Sequence, residues 1–427
     1  MNTSGNRNGN TSATSGAPCL PDPAREALAA YHARFGAAGT SDPVTVVWAS
    51  GRINLIGEHT DYNQGWVLPV AVDRVVALAG QPIHGPKTFL YSTHHDEIAS
   101  FYSDPWSLTD RRPGRLRFFA RYVRAVLAQL VGIPGAARTP PFRAAIAGNV
   151  PVGGGMSSSA ALEVAAATFA AALGGPALEP MATARLCQRA EQAGVGVEVG
   201  IMDQAASCLG RPGSALLLDC RSLAYEYVPI NLPGIALAAF DTGVPRTLGA
   251  SGYNDRTYEC GEAVAWLADA MRADEPQRTV TALRDITADD LARYGATLPK
   301  TLLRRVRHVV SENARVAEAV DALRAGDAAQ LGELLYASHA SLRDDYEVSC
   351  PELDAAVEIA SCVEGVVGAR LMGAGFGGSA LMLVREEAVD ALRTRLTREY
   401  RAATGRSGAL HICHIAGGPQ TVTMPPA

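Results

Sequence analysis

The chain has 427 residues, enough for two domains or one large domain with additions, and its 48% hydrophobic and 19% charged residues are ordinary for a globular protein. With 38 basic against 43 acidic residues, the net charge of −5 supplies no global field for nucleic acid or an anionic membrane, and no apolar run is long enough to span one. Only Lys87 and Lys300 are lysine, and neither sits in a G-x-x-x-x-G-K-[ST] loop or a V-A-I-K strand, which argues against P-loop NTPases and protein kinases. A small basic cluster, Arg111 and Arg112 through Arg124, reads as a solvated helix face. Eight cysteines without C-x-x-C spacing read as reduced thiols of a cytoplasmic protein. The polar first 18 residues are expected to be disordered, and they lack the apolar stretch of a signal peptide.

Strand-like and helix-like segments then alternate. Residues 44–48 and 66–72 read as strands flanking a polar loop that starts at Gly51-Arg52. Residues 116–131 carry helical apolar spacing, and 142–146 form a short strand. A Gly-rich loop at 149–155 leads into an Ala-rich helix over 157–173, followed by helices at 181–193 and from 202. After a Pro/Gly segment near residue 230, where the domain boundary is expected, come a strand at 235–240 and helices at 254–272, 287–294, 302–323, 327–342 and 351–360. Strands at 365–372 and 380–384 flank a Gly-rich turn, with a helix at 386–404 and a last strand at 409–415.

Two glycine-rich segments stand out. In PVGGGMSSSAALEVA, Gly153, Gly154 and Gly155 let successive backbone N–H groups turn inward, and the helix that follows adds free amides and a positive dipole end. Such a cradle binds phosphate without lysine, and Ser157, Ser158 and Ser159 add hydroxyls; one of Ser157 and Ser158 would also serve as an ordinary N-cap. The second segment, Gly373 to Gly378, matches G-x-G-x-x-G but is followed by strand-like SALMLV, so a dinucleotide fold fails on context. It reads as a glycine-rich hairpin, or as a close backbone approach to a ligand.

Arg52, Glu58, His59, Asp61, Tyr62 and Asn63 crowd one short stretch, a density of donors and acceptors suited to sugar hydroxyls. Asp203 stands at a predicted helix start, where a capping carboxylate and a catalytic one look alike. Glu191, taken alone, reads as a solvated surface charge.

Taken together, GRINLIGEHTDYNQGWVLP, PVGGGMSSSAALEVA and GARLMGAGFGGSALMLV resemble the three motifs of the GHMP small-molecule kinases, and within them the galactokinase branch. VGIMDQAAS and SHASLRDDYEVSCPELD extend the resemblance over residues 44 to 384. It implies an α+β fold of two domains: a ribosomal S5 domain 2-like N-terminal part (19–230, sugar and phosphate binding) and a ferredoxin-like C-terminal GHMP part (231–427). It also implies an ATP-dependent transfer to the C1 hydroxyl of galactose, with Asp203 as the catalytic carboxylate and Arg52 as the cation beside it. Glu58, His59, Asp61, Gly200 and Tyr253 would bind the sugar. Gly153, Gly154, Gly155 and Ser157 to Ser159 would wrap the ATP phosphates, and Ser159 with Glu191 would hold Mg2+. The implied partners are the sugar and ATP, with no nucleic acid and no membrane.

The chain departs from the branch pattern at Met372, Ala374, Arg246, Ala205 and Ala206. These changes leave the chemistry intact but set kinases for L-arabinose, galactosamine or N-acetylgalactosamine beside galactose. An alternative of another class is a non-catalytic galactose and ATP sensor, against which the intact Arg52, Asp203 and SSSAA segment argue.

Overall fold

The computed structural model describes residues 20–36, 42–110, 116–244 and 249–425, and every structural statement concerns these. The expected N-terminal disorder, Arg111, Arg112 and Arg246 lie outside them.

In chain order the strands are β1 (Val44–Asn54), β2 (Trp66–Val67), β3 (Pro69–Pro82), β4 (Lys87–Ser92), β5 (Glu97–Tyr102), β6 (Phe142–Gly148), β7 (Ser214–Asp219), β8 (Tyr225–Pro229), β9 (Ile235–Asp241), β10 (Val366–Met372), β11 (Ser379–Arg385), β12 (Ala409–Cys413) and β13 (Gln420–Met424). The helices are α1 (Asp22–Phe35), α2 (Pro105–Thr109), α3 (Phe118–Val131), α4 (Ser158–Ala172), α5 (Pro180–Val195), α6 (Met202–Leu209), α7 (Gly249–Arg272), α8 (Ala288–Tyr294), α9 (Lys300–Ala325), α10 (Ala328–Asp344) and α11 (Pro351–Ser361). A final helical run covers Val389–Arg395, a π-turn at Leu396–Tyr400, and Arg401–Thr404.

Three sheets organise the molecule. The first has the order β13-β1-β3-β6-β4-β5, with β4 and β6 its parallel pair, and β2-β7-β8 form a small second sheet. Helix α4 packs on β1 and β3 and is buried along most of its length, which explains why its Ala/Val-rich sequence has no polar stripe. The third sheet, β10-β11-β9-β12, is antiparallel; numbered within its own unit the order is 2-3-1-4, the ferredoxin-like arrangement.

This third sheet joins the two halves of the core. Leu237 and Ala239 of β9 and Leu381 and Leu383 of β11 face the N-terminal core, whereas Ala238, Phe240, Ala380, Met382 and Val384 face the C-terminal helices. The period of two in a strand sends alternate side chains to opposite faces, so a sheet covered on both sides needs the unbroken apolar run SALMLV. Among the described residues no helix is long and apolar enough to cross a membrane, and seven described cysteines are free.

Several expectations change. Strand β1 runs past Trp48 to Asn54 through an irregularity between Ser50 and Arg52, so Arg52 sits on a strand rather than in a loop. The single strand expected at 66–72 is two, broken at Leu68. Arg124 is half-buried rather than on a solvated face, donating to the carbonyls of Ser107 at 2.7 Å and Asp110 at 2.5 Å.

Candidate active site

The Gly-rich segment turns ahead of α4 with positive φ at Gly153 (75°), Gly155 (83°) and Ser157 (58°). Left-handed φ is inexpensive for glycine and costly for serine, so Ser157 is held by its surroundings. Ser157 occupies the N-cap position of α4 but makes no capping bond; its hydroxyl donates to Asp203 Oδ2 instead. The first turn of α4 therefore has no side-chain N-cap. Strand β1 presses against the back of this turn: a Cβ on Gly51 would lie 2.6 Å from the Met156 carbonyl.

Arg52, at the end of β1, sends Nε to Asp203 Oδ1 at 2.8 Å and Nη2 to Oδ2 at 2.9 Å, and Nη1 to the Gly155 carbonyl. It is buried, while the Asp203 side chain keeps 30% of its surface exposed. Asp203 does not cap α6, whose N-cap is Ile201; its oxygens are taken by Arg52 and Ser157.

Two cavities meet at this carboxylate. One, of about 280 Å3, is bounded by Glu58, His59, Asp61, Gly200, Tyr253 and Gly373. The other, of about 790 Å3, lies along residues 149–153, Gly155, residues 157–159 and the start of α3. Asp203, Ser159 and Tyr122 line both.

In the smaller cavity, Asp61 is half-buried, and burial together with nearby Asp203 raises its carboxyl to about 7. A Cβ on Gly200 would stand 1.8 Å from Asp61 Oδ2, so a larger residue there displaces the Asp61 side chain. His59 adopts φ 61° and hydrogen-bonds through Nδ1 to the Tyr62 hydroxyl at 2.8 Å, and its ring lies 4.9 Å from Tyr346 and 5.5 Å from Tyr253. Burial pulls the His59 pKa down to about 3, so the ring is neutral at physiological pH. Glu58 is buried and accepts from the Gly373 amide at 2.7 Å and from Arg370 at 3.1 Å, tying the first polar stretch to the Gly-rich hairpin.

That hairpin joins β10 to β11, with positive φ at Gly373, Gly375, Phe376, Gly377 and Gly378. A Cβ on Gly375 would sit 2.1 Å from the Val348 carbonyl. The glycines thus serve close packing inside a hairpin whose Gly373 and Ala374 reach the smaller cavity.

Glu191 is a correction: it is buried rather than a surface charge, and accepts from Gln204 Nε2 at 2.7 Å. Burial, then Asp203, raises its carboxyl to about 7, against a hydrogen bond from Ser159 that lowers it. Gln204 also donates to fully buried Glu163 at 3.1 Å, whose Oε1 has no partner. Two buried carboxylates and an orphaned oxygen beside Ser159 suit an added cation. No group of three or more His, Cys, Asp or Glu with metal-binding geometry occurs among the described residues, so such an ion would take its other ligands from water and phosphate.

Sequence reasoning missed Glu163, Gln204, Tyr122 and Arg370. Glu163 carried a signal: it lies four residues after Ser159, on the same side of a helix otherwise almost wholly apolar.

Comparison with known proteins fits this geometry. The GHMP kinases N terminal domain matches residues 118–211 and the GHMP kinases C terminal domain residues 319–402, which defines the class as a small-molecule kinase of that fold. The galactokinase galactose-binding signature matches residues 29–82. Galactokinase of Roseiflexus sp. is 42% identical over 88% of this chain and 92% of its own, and that of Homo sapiens 38% identical over 93% and 96%. A crystal structure of Lactococcus lactis galactokinase complexed with galactose superposes with a TM-score of 0.84 at 32% identity, covering 92% of this chain and 98% of that one. The chain belongs to the galactokinase family, and ATP is its phosphoryl donor.

Proposed function

We propose that the enzyme transfers the γ-phosphoryl group of ATP to the C1 hydroxyl of α-D-galactose, giving α-D-galactose 1-phosphate and ADP. The carrying observation is that Asp203, gripped by Arg52, stands in the wall common to the two cavities. The smaller cavity takes the sugar and the larger one the nucleotide.

In the transfer, the C1 oxygen forms a bond to Pγ, the bond from Pγ to the β,γ-bridging oxygen breaks, and ADP leaves with that electron pair. Asp203 orients the C1 hydroxyl and receives its proton. Arg52 holds Asp203 in place and lends positive charge beside the transferring group, where positioning and electrostatics dominate the rate. The amides of Gly153 and Gly155 and the hydroxyls of Ser157, Ser158 and Ser159 cradle the phosphates, whereas the Gly154 amide, contrary to expectation, closes the turn on the Pro151 carbonyl at 3.1 Å and shapes the loop instead. Ser159 and Glu191 hold Mg2+, which when bound neutralises charge on the phosphate oxygens. Glu58, His59, Asp61 and Tyr253 read the sugar hydroxyls, with Gly200 making room for Asp61.

In this reading, residues 19–230 are the sugar- and phosphate-binding unit and 231–427 the C-terminal GHMP unit. The enzyme acts in the cytoplasm, in keeping with its free thiols. The intact Arg52–Asp203 pair favours catalysis over a non-catalytic sensor. The test is a coupled ADP-release assay over a panel of monosaccharides. Turnover is expected with galactose; a silent galactose well beside rapid turnover of L-arabinose, galactosamine or N-acetylgalactosamine overturns the substrate, and no turnover with any sugar overturns catalysis.

A further inference from the structure

The segment from Gly57 to Trp66, which carries the sugar-facing Glu58, His59 and Asp61, is an irregular turn held partly from within and partly by another element. It holds three positive-φ residues, Gly57, His59 and Gln64, and the amides of Asn63, Gln64 and Gly65 bond back within it to the carbonyls of Thr60 and Asp61. Internal bonds from Thr60 to the Gly57 and Trp66 carbonyls and from Asn63 to the His59 carbonyl close the turn but leave its outer amides to be met elsewhere.

They are met by α9, from the other half of the chain. Glu312 Oε1 accepts from the Gly57 amide at 2.9 Å and the Glu58 amide at 3.2 Å. Asn313 Oδ1 accepts from the Trp66 amide at 3.0 Å, at the far end of the same loop. His308, one helical turn before Glu312, pairs through Nε2 with the Glu58 carbonyl at 3.1 Å. The clamp is itself braced: Ser338 donates to Glu312 Oε1 at 2.8 Å, Arg315 to Oε2 at 2.8 Å, and His308 Nδ1 pairs with Ser341 at 2.9 Å. Glu312 and His308 are fully buried. Close approach is built in as well, since a Cβ on Gly57 would meet the Trp66 carbonyl at 2.6 Å and one on Gly65 would meet Asn313 Oδ1 at 2.5 Å.

We infer that His308, Glu312 and Asn313 are positioning residues for the sugar. They fix the backbone of the Gly57–Trp66 segment from both ends and so set where Glu58, His59 and Asp61 stand, without touching the substrate themselves. Glu312 meets two amides on one oxygen, so its loss leaves two buried donors unpaired. The carboxyl is suited to this, because burial pushes it up while Arg315, His308 and Arg370 outweigh burial and bring it down to about 2. The inference rests on the reading that this segment binds galactose.

The test uses the full-length enzyme with Glu312→Ala, Glu312→Gln and Asn313→Ala, measuring kcat, both KM values and the melting temperature of each. Glu312→Ala is expected to raise the galactose KM by about tenfold or more, with the ATP KM within about twofold. Glu312→Gln keeps an acceptor at Oε1 and is expected to recover most of that loss. Asn313→Ala, half-buried and gentler on folding, is expected to raise the galactose KM several-fold. Lower melting temperatures with an unchanged galactose KM in Glu312→Ala and Asn313→Ala would overturn the inference, as would equal rises in both KM values. Should Glu312→Ala not fold, Asn313→Ala decides alone. Wild-type enzyme inactive on galactose would instead overturn the substrate reading.

Discussion

Arg52 and Asp203, 151 positions apart in the chain, meet as a two-pronged pair: Nε and Nη2 of the guanidinium face the two carboxylate oxygens at 2.8 and 2.9 Å. Such a fork fixes the plane of the carboxylate as well as its position. Asp203→Ala is expected to abolish turnover while ATP binding, followed by calorimetry, survives within a few-fold. Asp203→Asn should lower kcat by about 10²- to 10⁴-fold. Arg52→Lys, which cannot form the fork, should lower kcat by about a hundredfold. Loss of ATP binding in the Asp203 variants would return this carboxylate to a structural role.

Gly200→Ala should raise the galactose KM by about tenfold and leave the ATP KM nearly unchanged, because the new methyl needs the space Asp61 Oδ2 occupies. Asp61→Ala should do the same through unpaired sugar hydroxyls. Similar rises in both KM values would contradict a sugar-side role.

Asp61 also predicts a pH dependence. Its carboxyl, ordinarily near 3.8, is raised to about 7 by burial and by Asp203. The folded state therefore binds this proton more tightly than the unfolded one between about pH 4 and 7, and the stability contributed by the group falls as pH rises through that window. The ligand-free enzyme should melt higher at pH 5.5 than at pH 8, with the difference reduced in Asp61→Asn. If the ionised form accepts the sugar hydroxyls, kcat/KM for galactose falls as pH drops below about 7, and this limb vanishes in Asp61→Asn. A limb that persists in the variant assigns the titration elsewhere.

Glu191→Gln and Ser159→Ala should raise the Mg2+ concentration needed for half-maximal rate by about tenfold, read as a Mg2+ titration at fixed ATP. Binding of galactose, followed by calorimetry in the absence of nucleotide, should stay within about twofold. An unchanged Mg2+ requirement in both variants would remove them from the metal site.

Local pattern carried much of the reading. Glycine and serine density pointed to a loop suited to phosphate, and the apolar run after Gly378 excluded a dinucleotide fold because β11 follows where a helix would be needed. Segments without strong periodicity went unforeseen: α1, α2, β4, β5, β7, β8 and β13. In β5, an edge strand, burial alternates along the chain, but the exposed positions carry Ile98 and Tyr102, so the residue types do not alternate with it. β13 forms only because β1 offers it a partner almost four hundred residues earlier in the chain.

The sparse lysines and the three motifs, by themselves, led to the expectation of a phosphate site made of amides, hydroxyls and arginine, since these depend on residue type and short spacing. Tertiary structure alone decided that Glu191 is buried, that Asp203 is paired rather than capping, and that Glu312 reaches back to Gly57. The reason is physical: burial and pairing of a charge depend on what the rest of the chain packs against it, and a carboxylate on a helix looks the same in sequence whether water or Arg52 faces it.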